Sequence, residues 1–123
     1  MLPNTLSIIK QSLMKESLLP PQKLEKLLTI LKKYSKGRYI YPGVLIRELN
    51  IDMSTAYLVL NSLKNLGLLT INYEIYCHKC SKFTGGIFET ISEIPEEMEC
   101  NEMGHVLDPL TSSIVVFKVV QDE

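Results

Sequence analysis

The sequence lacks the features that mark several large classes of protein. No apolar run approaches the length needed to cross a membrane. The first residues carry neither the basic start nor the cleavage site of a signal peptide. Cysteine is scarce, with 3 residues in 123, and an odd, low number without a secretory signal is typical of a reducing compartment. We therefore expect a cytoplasmic protein that does not engage membranes.

Motifs that carry catalysis are also missing. The chain has no glycine-rich phosphate loop, no nucleophile elbow and no pair of histidines on one helix face. Gly85-Gly86 lacks the strand-to-helix context of a phosphate-binding loop and is typical of a turn. We therefore expect that the protein is not an enzyme.

The net charge of −1 hides a strong asymmetry along the chain. Residues 1–82 contain 12 of the 13 Lys/Arg residues and 5 of the 14 Asp/Glu residues, whereas residues 83–123 contain one cation, Lys118, and the other 9 acids. This division indicates two surfaces with different partners, or two parts that partly neutralise each other within the fold.

An amphipathic helix is predicted over residues 4–19. Its apolar side chains recur at the spacing of one helix face, at Leu6, Ile9 and Leu13. Asn4 or Thr5 is expected to cap the helix, and Pro20-Pro21 to end it. Residues 1–20 are therefore expected to form an N-terminal helix that completes the core or mediates a homodimer.

Residues 21–76 predict three further helices and a strand. The elements are a helix over 21–35, an extended segment over 38–41, a helix over 44–49, a helix over 53–66 and an alternating strand over 68–76. Asp52 or Ser54 is expected to cap the helix over 53–66, and Gly67 to follow its end. No hairpin turn follows the strand directly, so we predict that it pairs antiparallel with the apolar run over 114–120.

The intervening residues 77–113 contain a cysteine motif. Cys77-His78-Lys79-Cys80 places two thiols in one tight turn, and 19 residues separate it from Cys100, an ordinary spacing for a zinc ribbon. Met103 stands where a second C-x-x-C-G motif has its last cysteine, and a thioether is a poor ligand for zinc. We therefore predict one structural Zn²⁺ per chain, held by Cys77, Cys80, Cys100 and His105.

Alternatives to this ligand set stay open. The fourth position can be filled by His78, Met103 or water, and the three cysteines can be ordinary thiols of a fold that has lost its metal. A redox C-x-x-C motif is disfavoured, because it usually opens a helix and Ser81 to Gly86 has no helical character. Within 77–113 we also predict a strand over 86–91, short strands beside Cys100, and a turn at Asp108-Pro109.

The order of these elements resembles a winged helix-turn-helix domain, with Leu63-Lys64-Asn65-Leu66-Gly67-Leu68-Leu69 similar to the junction between recognition helix and wing. With the ribbon inserted, the layout is similar to that of the alpha subunit of general transcription factor E and of small prokaryotic regulators. The expected fold is α+β, a winged helix-turn-helix over 21–76 with returning strand 114–120, an N-terminal helix, and a zinc-ribbon-like β insertion over 77–113.

The resemblance implies a non-catalytic, DNA-binding regulator whose helix over 53–66 enters the major groove of duplex DNA. Base and backbone contacts are expected from Ser54, Thr55, Tyr57, Leu58, Asn61, Lys64 and Asn65, and phosphate contacts from Lys36, Arg38 and Arg47. The same helix has one cation and no arginine. The layout also resembles small adaptor-like proteins of multi-component bacterial systems. The alternative is therefore a protein–protein adaptor subunit of such a prokaryotic system, which binds a partner protein through Tyr57, Leu58 or the acidic ribbon.

Overall fold

A computed structural model describes residues 1–96, 98–99, 104, 106–108 and 111–121. In this part of the chain the fold is mixed α+β, as the sequence predicts. The elements are α1 (Pro3–Glu16), α2 (Pro21–Leu31), β1 (Tyr39–Ile40), α3 (Pro42–Leu49), α4 (Met53–Asn65), β2 (Leu69–Cys77), β3 (Lys82–Phe88), a 3₁₀ turn (Ile91–Glu93), β4 (Met98–Glu99), β5 (Val106–Leu107) and β6 (Ser113–Val119). None of the helices described is both long and apolar enough to cross a membrane.

The chain divides into two compact units. The helical unit consists of residues 1–70 and 117–123, and the β-rich unit of residues 71–116. The helical unit has 11 Lys/Arg and 6 Asp/Glu residues, whereas the β-rich unit has 2 and 8. The charge asymmetry of the sequence therefore follows the division into units.

The core of the helical unit is built from the predicted apolar stripes. Helix α1 packs on α2 and α4, α2 packs on α3, and α3 packs on α4. The fully enclosed side chains include Ile9, Leu13, Leu27, Leu31, Leu45, Leu60 and Leu63. Each buried leucine or isoleucine contributes roughly 1.5–3 kcal/mol through removal of apolar surface from water, so these stripes hold the four helices together.

Three helix ends differ from the prediction. The N-cap of α1 is Leu2 and not Asn4 or Thr5, because Pro3 suits the first helical position and the Thr5 side chain is buried in the core. At the other end, α1 stops at Glu16, where Ser17 adopts a left-handed conformation before the prolines are reached. Helix α2 stops at Leu31, four residues before the predicted end, and tight turns of Lys33 and Tyr34 follow.

The larger sheet has the strand order β1-β6-β2-β3. Strand β1 pairs antiparallel with β6, with Ile40 opposite Phe117. Within the helical unit Val120 N–H donates to the Leu68 carbonyl at 2.9 Å, and within the β-rich unit Tyr76 N–H donates to the Ser112 carbonyl at 2.7 Å. These bonds run in the antiparallel sense, so the returning strand that the sequence predicts lies beside β2.

Strand β3 corrects the prediction that no hairpin follows β2. Cys77 lies opposite Lys82, so the C-x-x-C segment is itself the turn of a β2–β3 hairpin, with Ser81 at a φ of 55°. The predicted strand over 86–91 starts earlier and ends at Phe88, and Ile91 begins a 3₁₀ turn. The sequence placed Cys77 and Cys80 in one tight turn but did not identify the strand that follows this turn and pairs with β2.

Strand β3 carries a bulge at its glycines. Glu74 lies opposite Ile87 and Tyr76 opposite Phe83, so the three residues 84–86 face the single residue Ile75. A Cβ atom at Gly86 would lie 3.0 Å from the Phe88 ring and 3.8 Å from the Ile75 side chain. Gly86 therefore allows the Phe88 ring to cover the bulge.

Gly86→Ala is expected to reduce the free energy of unfolding by about 1 kcal/mol or more, because the Phe88 ring must move away from the added methyl group. Gly43→Ala is the matched control, since its Cβ would meet no atom within 4 Å in the part of the chain described. Urea unfolding followed by circular dichroism measures both. Equal stability of the two variants would contradict the role given to Gly86.

Strand β2 is buried on both faces for part of its length. Asn72 and Glu74 are 3% and 7% exposed, although the alternating pattern places them on the polar side of the strand. Ile75 and Cys77 are buried as well. Side chains on both faces of β2 are therefore buried at these positions, which the alternation of the sequence does not indicate.

Candidate nucleic-acid interface and metal centre

The candidate nucleic-acid interface is built on α3 and α4. The two helices are joined by the three residues Asn50, Ile51 and Asp52, and Asn50 adopts a left-handed conformation with a φ of 52°. Asparagine tolerates this conformation better than most residues. The Lys23 ammonium donates to the Asn50 carbonyl at 3.0 Å and so ties α2 to the turn. The result is a compact helix–turn–helix arrangement.

Asp52 caps α4, as the sequence predicts. Thr55 N–H donates to Asp52 Oδ1 at 2.8 Å. Hydrogen bonds from the Thr55 side chain and from its backbone N–H lower the pKa of Asp52 below its ordinary value of 3.8. The ionised carboxylate therefore stabilises the start of α4 at neutral pH.

Asp52→Ala is expected to lower the melting temperature at pH 7, whereas Asp52→Asn should preserve most of it because an amide oxygen also caps. Since the folded-state pKa is depressed, the carboxylate contributes stability above its unfolded pKa, and this stability is lost as the pH falls through the folded value. The difference between wild type and Asp52→Ala should therefore shrink below about pH 4. Melting curves at pH 7 and pH 3 test this; a difference independent of pH would contradict it.

One face of α4 is open to solvent. Ser54, Leu58, Asn61 and Asn65 recur at helical spacing, and all four are exposed together with the neighbouring Lys64. Most of the side chains predicted to contact DNA from this helix thus share one exposed surface. We call it the α4 face.

Two predicted contact residues of α4 are placed differently. Tyr57 is half-buried, and its ring centroid lies 6.3 Å from that of Phe117 in β6, so the ring is turned toward the sheet. Thr55 is also half-buried and contributes to the cap. Neither side chain stands freely on the α4 face, and the expectation of an outward Tyr57 is corrected by its packing on Phe117.

The predicted phosphate-binding cations are exposed but come from separate elements. Lys36 and Arg38 precede β1, beside the end of β6, where Gly37 N–H donates to the Val119 carbonyl at 2.8 Å. The Arg38 guanidinium lies 5.8 Å from the centroid of the Tyr34 ring. Arg47 lies on α3, 3.9 Å from the Glu48 carboxylate in an exposed pair that contributes little to stability.

Two large apolar side chains are exposed in the same region, of which the sequence indicated Leu58 but not Met53. Met53 is 64% exposed at the start of α4, and Leu58 is 53% exposed on the α4 face. Large apolar side chains in such positions are more typical of a protein contact than of a DNA contact. The sequence could have indicated the exposure of Met53, because this residue directly follows Asp52, which caps the start of α4.

The candidate metal centre begins with the β2–β3 turn. Cys80 N–H donates to Cys77 Sγ at 3.4 Å, and Ser81 closes the turn in a left-handed conformation. The structure therefore places the first two cysteines of the predicted site in one tight turn, and thiolate and imidazole are ligands that zinc prefers.

Two short strands flank the second half of the predicted site in sequence. Strands β4 and β5 pair antiparallel, with Met98 opposite Leu107. Cys100, Met103 and His105, which lie between the two strands in sequence, are outside the described residues. Met98 and Leu107 pack in the same apolar cluster as Cys77 and Cys80. Residues of both β4 and β5 therefore belong to the cluster that contains the first two cysteines.

His78 contacts Thr111 and Tyr76. Its side chain is exposed, its Nε2 atom lies 3.2 Å from the Thr111 carbonyl, and its ring meets the Tyr76 ring edge-on at 5.1 Å. Among the residues described, no group of three or more His, Cys, Asp or Glu side chains could hold a metal, and Cys100 and His105 lie outside those residues.

Comparisons with protein-family models, with curated proteins and with solved structures find no match to this chain.

Proposed function

We propose that this chain is a non-catalytic DNA-binding regulator of winged-helix type that acts in the cytoplasm and contains a structural zinc site. The observation that carries the proposal is the α4 face, which presents serine, asparagine and lysine side chains from a capped helix–turn–helix arrangement. Asparagine can pair with adenine through two hydrogen bonds in the major groove. Asn61 and Asn65 are suited to this role.

The charge of the helical unit supports the same proposal. Its excess of cations favours a polyanionic partner, because neutralisation of phosphates releases counterions and supplies most of the affinity for DNA. In this proposal Lys36, Arg38 and Arg47 contact phosphates while the α4 face contacts base edges. In this proposal strands β2 and β6 form the wing of the winged-helix domain.

Duplex binding by variants tests this assignment. Asn61→Ala is expected to weaken sequence-specific binding about five- to a hundredfold and leave the salt dependence unchanged. Lys64→Ala should weaken binding to all duplexes and reduce the slope of log K against log salt by about 1. Lys15→Ala, an exposed lysine of α1, is the control and should have little effect. Fluorescence anisotropy with a labelled duplex selected from a random pool measures all three.

The zinc site of this proposal has a structural role. Cys77, Cys80, Cys100 and His105 would supply four protein ligands, and such a closed shell leaves no position for substrate. A zinc ion would supply a cross-link between the β2–β3 turn and the β4–β5 hairpin. The β-rich unit has only 46 residues, too few to bury a large core, so a cross-link of this kind is physically useful.

A second candidate function is that of a protein adaptor. The exposed Met53 and Leu58 favour it, because they add apolar surface to a helix that has a single cation. The acidic β-rich unit is a further surface for a basic partner. An adaptor should ignore duplex DNA at low salt and lose its partner in Leu58→Asp, whereas a regulator should bind the duplex with a steep salt dependence.

A further inference from the structure

A groove lies between α1 and α2. It has a volume of about 590 Å³ and nine lining residues, which include Lys10, Met14, Ser17, Leu18, Leu24 and Glu25. Its size falls within the range of about 300–1,000 Å³ that is typical of small-molecule sites. Six of the nine lining side chains are apolar, so the groove favours a ligand with an apolar body.

An ion pair gives the groove its polar end. Lys10 Nζ lies 2.8 Å from Glu25 Oε1, and both side chains are about half exposed. The pair also lines a smaller depression of about 240 Å³ between the same two helices. An ammonium has three N–H donors and a carboxylate two oxygens, so each partner retains bonding capacity beyond a single mutual contact.

The chemistry of this pair selects the ligand. A simple acid would bring its charge close to Glu25, and a simple amine would bring its charge close to Lys10. A zwitterion can direct its carboxylate to Lys10 and its ammonium to Glu25 while its side chain contacts Met14 and Leu18. We propose that the α1–α2 groove binds a small zwitterion with an apolar side chain, of the class of an apolar α-amino acid.

The groove is connected to helix α4. Ser17 in the groove follows Glu16, and Glu16 Oε2 accepts a hydrogen bond from the Ser62 hydroxyl of α4 at 2.6 Å. A ligand that repositions the end of α1 can therefore displace α4 through this contact. Control of DNA binding by the ligand is an extension that rests on the proposed function, whereas ligand binding itself does not.

Methionine-methyl NMR on the full chain tests the binding. With ¹³C-methyl methionine and L-leucine as the probe, the Met14 methyl signal is expected to shift with a Kd of about 1 mM or below, while that of Met98 in the β-rich unit stays fixed. Isocaproate and isoamylamine, which lack the ammonium and the carboxylate respectively, should bind about tenfold more weakly. Lys10→Gln should weaken leucine binding by about tenfold, and Lys15→Gln should not.

Several results would overturn the inference. These are the absence of a Met14 shift up to about 10 mM leucine, equal binding of all three probes, or a Met14 signal that moves with protein concentration alone. The last result would show that a second copy of the chain covers the groove. If the Met14 signal shifts with leucine but the protein binds no duplex, ligand binding in the groove is supported and only the proposed DNA-binding function is refuted.

The extension to DNA binding has its own readout. Leucine at saturation is expected to change duplex affinity at least threefold in the wild type, and Ser62→Ala should abolish this change while the Met14 shift persists. An unchanged affinity in a protein that binds both leucine and duplex would refute the connection through Glu16.

Discussion

Cys77→Ser is expected to remove zinc and to destabilise the β-rich unit in one step. Cys77 is 1% exposed and lies in the apolar cluster that also contains Cys80, Met98 and Leu107, so loss of the metal would release both hairpins from each other. Apparent binding free energies of structural zinc in small domains are about 10–16 kcal/mol. We therefore expect a loss of at least about 3 kcal/mol in stability. Elemental analysis and thermal unfolding of both proteins measure the two effects.

A chelator separates this account from one in which the thiols are only core residues. If zinc is structural, the wild type unfolds at a lower temperature in the chelator, and Cys77→Ser is insensitive to it. If the thiols are only core residues, the chelator changes neither protein. In that case Cys77→Ser is destabilised only by burial of its hydroxyl group, which costs about 1–3 kcal/mol.

The choice of fourth ligand can be tested in the same way. His105→Ala should lose zinc to the chelator faster than the wild type, while His78→Ala should behave like the wild type because its ring contacts Thr111 and Tyr76. The reverse order would assign the fourth position to His78.

Phe117→Ala is expected to have the largest effect on the helical unit. Its side chain is fully buried, lies opposite Ile40 of β1 and contacts the Tyr57 ring of α4. Truncation of such a phenylalanine costs about 3–5 kcal/mol, a large part of the 5–15 kcal/mol that is typical of whole proteins. Phe83→Ala, at a residue 46% exposed, is the control and should cost about 1 kcal/mol or less.

Urea unfolding measures the two variants, and similar costs would contradict the central place given to Phe117. If Phe117→Ala fails to fold, Phe117→Leu provides the graded change, with an expected loss of about 1–2 kcal/mol. Because Phe117 positions Tyr57, both Phe117 variants should also alter the α4 face, which is visible as changes in the amide spectrum of α4.

The sequence predicted the helical part of the fold well because its information is local. The leucine stripe of α2, the cap at Asp52 and the burial of Leu60 and Leu63 follow from spacing and capping chemistry that neighbouring residues contain. The cap of α1 was missed because burial of Thr5 depends on helices distant in sequence. Packing between residues distant in sequence therefore limited how much of the helical unit could be predicted.

The β-rich unit shows the same limit more clearly. A cysteine motif can serve as a metal site, a hairpin turn or both, and no local pattern around Cys77 and Cys80 distinguishes these roles. The burial of Asn72 and Glu74 depends on how the faces of β2 are packed, which the alternation along the strand does not encode. At the candidate interface, the turn of Tyr57 toward Phe117 likewise depends on a strand 60 residues away.

The most direct test of the proposed function is an NMR titration of the ¹⁵N-labelled full chain with a short DNA duplex. The account predicts amide shifts concentrated at Ser54, Asn61 and Lys64 on the α4 face, with smaller shifts at Lys36 and Arg38, all reduced by added salt. Shifts confined to the β-rich unit, or no shifts at low salt, would contradict the assignment of α4 as the DNA-reading helix.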